Sequence, residues 1–570
     1  GRHTAASMVE MLFLVAMPFG MVSYGERMGN ARAGVIGGLL FYLAPVAGKA
    51  GTIAYVDVGA AAVVFGAFYL VQIWREERRD ALLIPLGLAA GFCYACKITA
   101  SIMTVYAVVF VAAAAARRSG WKAAARSSAI AAAFAFAVAG LWMVKDAVQY
   151  GNPFFPLFNR WFPNPYQYPI VEAEIRRTFS SMSNVPYSQI AYQLTTGGRL
   201  AGIIGPIFLL APLTLLALRN AAGRQLLLAF AIAFVPYFSN TGARFALPSL
   251  PFLSMALAMA LLAIPRAGPA IAIAAVAFHG WISWPGAIER VIPGYQWRID
   301  PVDLRAALRI EPEPRYFDRT MPDYRVGLML DRYVPPDGLV FSLAMGQTAY
   351  HHRRLIGSFE STLARRAFAT LITPLASQWS NRYLRDIRFA PVTAARVRLR
   401  AGNRFDGDVR IGELRIFNGD SEIQRNAGWR LTASRNPWEA PLAFDNDSWS
   451  WWTSGDVADP KTWIEVDLPK PASISRIAVD QIEDQRWIRL IPEVFTGGAW
   501  KRLEFRESDL TVPPPDDLRM CLHDDLKAMG VGWVLARDGS LEAEDLRKNS
   551  LQWGAQQVAS VNGFRLWKLL

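Results

Sequence analysis

Residues 82–116 read LLIPLGLAAGFCYACKITASIMTVYAVVFVAAAAA, 35 residues with a single charged side chain, Lys97, near the middle. Crossing a bilayer takes roughly 20 apolar residues, or somewhat fewer for a short span. The stretch therefore reads as two spans turned back on each other, with Lys97 at the turn. Applied outward from there, the same reading predicts ten spans, near 8–24, 34–48, 55–74, 82–96, 100–116, 127–145, 198–218, 225–239, 244–263 and 269–286. Charge divides the chain at about the same place. Residues 1–286 hold 21 Lys and Arg and 9 Asp and Glu, against 39 and 38 in residues 287–570. The first half is too apolar for a water-soluble core, and the second has an ordinary soluble composition. The expected architecture is an α-helical polytopic membrane domain followed by a soluble α/β domain with an inserted β-sandwich.

Nearly all of the net charge of +13 belongs to the membrane half. That places it in loops facing lipid head groups and argues against a nucleic-acid partner. Lys and Arg are retained on the cytoplasmic side of short loops, and here every second connection is basic: Arg27 and Arg32; Arg75, Arg78 and Arg79; Arg117, Arg118, Lys122 and Arg126; Arg219 and Arg224; Arg266. The alternate segments, 49–54, 97–99, 146–197, 240–243 and everything after 286, are then outside. The expected setting is a bacterial inner membrane, crossed many times, with the C-terminal half extracytoplasmic. The three cysteines are too few for a disulfide framework, and Cys93-x-x-Cys96 lies in an apolar run with no second pair, which reads as packing. No spacing indicates a metal ligand set.

Ionisable groups at the ends of spans are costly near lipid and are functional candidates for that reason. Asp57 opens the third span, Lys97 sits at the hairpin turn, and Arg244 opens the ninth, all on the outer side. A carboxylate with two cations suits transfer from a phosphate-linked donor: the carboxylate takes a proton from an attacking hydroxyl while the cations neutralise the leaving phosphate. The three residues equally fit a purely structural reading, in which Lys97 and Arg244 snorkel to head groups and Asp57 caps its helix.

Gly87-x-x-Ala90-Gly91-Phe92-Cys93-Tyr94-Ala95-Cys96-Lys97-Ile98-Thr99-Ala100, Tyr55-Val56-Asp57, Gly151-Asn152-Pro153-Phe154-Phe155-Pro156 and Arg244-Phe245-Ala246-Leu247-Pro248 with Pro251 together resemble the polytopic GT-C glycosyltransferases. The subgroup they are most similar to is the bacterial branch related to protein mannosyltransferases and aminoarabinose transferases. The resemblance covers roughly residues 1–330. It implies a polyprenyl-phosphate sugar as donor, inversion at the anomeric carbon, and a site at the outer face. It also implies that Asp57 is catalytic and that Lys97 and Arg244 bind the donor phosphate. One departure stands out. Such enzymes carry their principal carboxylate in the first outer loop, and no matching acidic motif precedes Asp57. Together with a chain that opens Gly-Arg, this leads to the expectation of a missing upstream segment and an inactive fragment.

Segment 146–197, with Trp161-Phe162-Pro163-Asn164-Pro165-Tyr166, reads as amphipathic elements over the site. Tyr55, Trp161 and Tyr166 are candidate sugar-stacking residues, and interfacial anchoring is the alternative. In the soluble half, 322–344 and 526–535 each read as helix, turn and strand. Between them Trp429–Ser434, Ala443–Asp447, Trp451–Gly455 and Trp463–Leu468 resemble the discoidin-like, galactose-binding-like sandwich. Strands at 397–399 and 413–416 resemble that family's closing strands but come first, which implies a circular permutation. Ile474-x-Arg476-x-Ala478-x-Asp480 reads as a strand with one buried face, and Trp449 and Trp451 as exposed tryptophans able to stack on a glycan.

The expected domains are 1–290 with outer loop 146–197, 291–390, 391–512 and 513–570. The expected function is transfer of a sugar to an envelope glycan, lipid or protein acceptor. Its rivals are a membrane-anchored glycan-binding protein without catalysis and a transporter of lipid-linked saccharide.

Overall fold

The computed structural model describes residues 2–181, 185–290, 292, 304–321, 323–343, 350–357 and 361–570. It forms two compact units, Gly1–Asp146 with Ile175–Ala307, and Ala147–Glu174 with Leu308–Leu570.

The first unit is helical: α1 (Arg2–Arg27), α2 (Ala31–Tyr42), α3 (Pro45–Thr52), α4 (Asp57–Glu77), α5 (Leu83–Cys96), α6 (Ser101–Tyr150, which runs on past Asp146), α7 (Ala221–Phe234), α8 (Leu250–Leu262) and α9 (Gly268–Ser283). Among the described residues, four helices are long and apolar enough to cross a membrane, or five if α2 and α3, bent by 68°, make one span. The other apolar helical segments that fall on expected spans are shorter, including a 3₁₀ run at Pro206–Arg219. Residues 117–126, expected as a loop, are helical; α6 runs through them with a break at Gly120, whose φ is 81°. The outward faces are apolar, with Leu12, Phe19, Leu141 and Trp281 between 69% and 72% exposed. That arrangement suits hydrocarbon, where every backbone group must be bonded within the helix.

Close helix approach follows from small residues. A Cβ on Gly87 would lie 2.5 Å from the Ala131 carbonyl oxygen, and one on Gly91 2.1 Å from that of Ala135. The small-xxx-small rows of α5 and α6 thus bring two backbones together where lipid offers no hydrophobic drive. At the start of α2, Asn30 caps the helix by accepting from the Ala33 N–H at 3.0 Å.

The second unit contains a five-stranded sheet: β1 (Leu339–Ser342) and β2 (Arg354–Gly357) before an insertion, β13 (Val531–Arg537), β14 (Ala555–Val561) and β15 (Phe564–Leu569) after it, in the order β14-β15-β13-β1-β2. β1 is parallel to β2 and β13, each of β1 and β13 following a helix, Tyr324–Tyr333 and Leu518–Ala528, as the two helix-turn-strand segments predict. Pro322 and Ala344, the ends of the first of those segments, lie outside the described residues.

The insertion holds β3 (Arg382–Ala401), β4 (Arg410–Ile411), β5 (Glu413–Asn418), β6 (Ser421–Glu422), β7 (Arg430–Ala433), β8 (Trp452–Thr453), β9 (Trp463–Ile482), β10 (Leu490–Thr496), β11 (Ala499–Arg502) and β12 (Phe505–Val512). β3 and β9 pair antiparallel along their length, with register shifts between Arg388 and Val392 and between Ala394 and Arg396. On one side of these shifts they pair with β12 and β5, on the other with β10 and β7. Ile387, Ile416, Ile477 and Val479 from the first part share a core with Val397, Leu399, Ile464 and Val466 from the second, so the sheet folds over its own apolar face.

The stretch 474–480 lies in β9 as expected of a strand with one buried face, and Ile477 and Val479 carry that face while Arg476 and Ala478 are half-buried. Three expectations are corrected here. Trp449 and Trp451 are buried, at 4% and 7% exposure; Trp449 packs with Phe341, Leu522 and Trp553. The sheet insertion starts at Arg382, ahead of 391, because β3 is continuous across that boundary. Finally, Ala147–Glu174 of the expected outer loop belongs with the second unit. Arg160 donates to both Asp456 oxygens at 2.7 and 3.1 Å, Tyr168 Oη meets Glu439 at 2.8 Å, and Arg365 donates to Glu174 at 2.5 and 3.0 Å.

Candidate active site

α4 begins at Asp57, whose side chain is 3% exposed. α5 ends at Cys96; the next residue, Lys97, leaves helical geometry at φ −158°, and a 3₁₀ turn at Ala243–Ala246 carries Arg244. These breaks bring the three charges together. Lys97 Nζ bonds Asp57 Oδ1, and Arg244 Nε stands 4.0 Å from Oδ2. Aromatic rings hold the cations in place: the Arg244 guanidinium lies 4.3 Å from the Tyr55 ring centroid and 4.8 Å from that of Phe245, and Lys97 Nζ lies 4.6 Å from Phe245.

A fourth charge belongs to the group. Glu10 on α1 is 9% exposed, and its Oε2 accepts the Gly59 N–H of α4 at 3.0 Å. Glu10 therefore caps the positive end of the helix whose first residue is Asp57. Gly59 leaves room for it, since a Cβ there would stand 3.0 Å from Glu10 Oε1. Glu10, which sequence reasoning passed over, lies within α1 and not in a loop.

Beside the cluster is a cavity of about 500 Å³, lined by Tyr55, Arg244 and Phe245 and by two further cations, Lys49 and Arg199. Sequence reasoning passed over both. The signal was available: each is a basic residue on the side that the loop parity assigns to the outside, against the usual bias. Of the other candidates, Tyr55 joins the site. Trp161 and Tyr166 belong to the second unit, where they are 74% and 47% exposed, Trp161 stacked on Phe158 with centroids 5.4 Å apart. Chemically the site offers two carboxylates, cations fixed by rings and carboxylate, and a basic cavity large enough for a phosphate and part of a sugar.

No protein-family model and no curated protein matches the chain. Among solved structures, it is similar to ArnT from Cupriavidus metallidurans, crystallised with undecaprenyl phosphate. The identity is 15% and the TM-score 0.39, over 62% of this chain and 71% of that one. A likeness this distant assigns neither fold nor activity.

Proposed function

We propose that the chain is a multi-pass membrane glycosyltransferase that takes a sugar from a polyprenyl-phosphate donor at the outer face of the membrane. The observation that carries the reading is the Asp57–Lys97–Arg244 cluster, joined through Arg244 to a cavity whose other cations are Lys49 and Arg199. The donor phosphate lies in that cavity against Arg244, Lys49 and Arg199, with Lys97 at its edge. An acceptor hydroxyl attacks the anomeric carbon from the face opposite the phosphate. The new glycosidic bond forms as the sugar–phosphate bond breaks, and the hydroxyl proton passes to the Asp57 carboxylate. The bonding pair leaves with the polyprenyl phosphate, whose charge the cations hold. Glu10 is a positioning residue, fixing the helix end that bears Asp57. The sheet insertion of the second unit is similar in motif to galactose-binding-like sandwiches.

The test is sugar transfer by the chain in proteoliposomes across a panel of polyprenyl-phosphate sugars. Turnover that Asp57→Asn and Arg244→Ala abolish, with the fold intact, supports the reading. Glycan binding without turnover from any donor replaces it with the membrane-anchored binder.

A further inference from the structure

A second cavity in the first unit, about 920 Å³, is at the other end of α4. Asp57 and Trp74 are separated by about 25 Å along the axis at 1.5 Å per residue, so this space is distinct from the site above. It lies between α4, the two parts of α6 on either side of Gly120, and α7. Its walls are two apolar stripes at helical spacing, Val105 and Val109 on α6 and Leu228 and Ile232 on α7. Val105 and Val109 are 61% and 59% exposed and Leu228 47%, so the groove is open at the protein's surface.

Its polar end is cationic. Arg75, Arg78, Arg117, Arg118 and Arg126 line it with one carboxylate, Asp80. Arg126 meets Asp80 at 3.4 Å, and among the described residues the other four arginines form no ion pair. Ordinary basic loops explain arginines near head groups, but not their convergence on one apolar groove. Trp74, 6% exposed, closes the groove from α4.

We infer that this groove binds one anionic membrane lipid, its phosphate among Arg75, Arg78, Arg117 and Arg118 and its chain along the α6 and α7 stripes. Free phosphate would leave the apolar walls uncovered, and a zwitterionic lipid would leave the cationic excess unmatched. The site is independent of the transfer reaction and stands whether or not the chain is a transferase.

The experiment is native mass spectrometry of the full chain after reconstitution in nanodiscs of equal parts phosphatidylglycerol and phosphatidylcholine. Bound phosphatidylglycerol should exceed phosphatidylcholine at least about fivefold. Two variants should each bring the ratio to that of the bulk bilayer: R75Q/R78Q/R117Q/R118Q, which removes the four head-group contacts, and Leu228→Trp, which fills the groove. A control, R219Q/R266Q, changes basic-loop arginines outside the cavity and should keep the enrichment. Equal loss in the control would reduce the effect to general surface charge and overturn the site. Enrichment that survives Leu228→Trp, or displacement of the lipid by millimolar inorganic phosphate, would remove the lipid chain from the groove and overturn it too.

Discussion

Replacing Glu10 separates its two contributions, a hydrogen-bond acceptor and a charge. Glu10→Ala removes the acceptor of the Gly59 N–H, a buried donor now bonded at 3.0 Å. An orphaned buried donor costs about 1–3 kcal/mol, and loss of a helix cap costs about 0.5–2 kcal/mol by a related measure. These describe one effect seen twice, so about 1–3 kcal/mol is the expected loss. Glu10→Gln keeps an oxygen in place and forfeits only the charge at the helix end, worth about 0.3–1 kcal/mol. Relief of repulsion from Asp57 reduces that further. Thermal unfolding in detergent at fixed pH should therefore rank wild type and Glu10→Gln together and Glu10→Ala clearly lower. Transfer should follow the same ranking, with Glu10→Gln retaining most of kcat and Glu10→Ala losing it through a displaced Asp57. A Glu10→Gln protein that is stable yet inactive would refute the positioning role, because the charge itself would then act on the reaction. An Ala variant as stable as wild type would refute the cap.

Three further outcomes are expected. Gly91→Val places a Cβ that geometry puts 2.1 Å from the Ala135 oxygen, so α5 and α6 must separate; stability in detergent should fall by about 1–3 kcal/mol or more, whereas Gly20→Val, with open space around it, should change little. Burial pushes the Glu413 carboxyl from 4.5 up to about 7. Its folded form binds the proton more tightly than the unfolded chain, so its contribution is full below pH 4.5, declines as pH rises to 7 and is flat above. The total is about 3 kcal/mol at most, and the difference in stability between wild type and Glu413→Gln, followed by unfolding across roughly pH 4 to 8, should favour the variant increasingly up to about pH 7. Trp449→Ala should cost about 3–5 kcal/mol of second-unit stability in a denaturant titration, since the ring is in the core and not on a glycan-facing surface.

The charges of the site were legible because charge is rare in this half of the chain. Asp57, Lys97 and Arg244 each interrupt an apolar run at its end, and the helix breaks that join them lie at those same interruptions. Glu10 obeys the same rule but sits inside a run, where a search confined to loops misses it. Composition says less about direction. Tryptophans at 449 and 451 suit a stacking platform or a core equally, and burial is decided by contacts far apart in number but adjacent in the fold, as between Trp449 and Phe341. The same holds for Ala147–Glu174, assigned to the second unit by pairs such as Arg160–Asp456 that no local pattern encodes.

The central claim is that Asp57 is the proton acceptor of a sugar transfer at this cluster. The most direct test is single-turnover transfer from a polyprenyl-phosphate sugar by the chain in proteoliposomes, comparing wild type with Asp57→Asn, whose similar shape keeps the contacts with Lys97 and Arg244 nearly in place. The account predicts that donor still binds while the chemical step slows by about 10²–10⁴-fold. An Asp57→Asn protein that transfers sugar at the wild-type rate would contradict it.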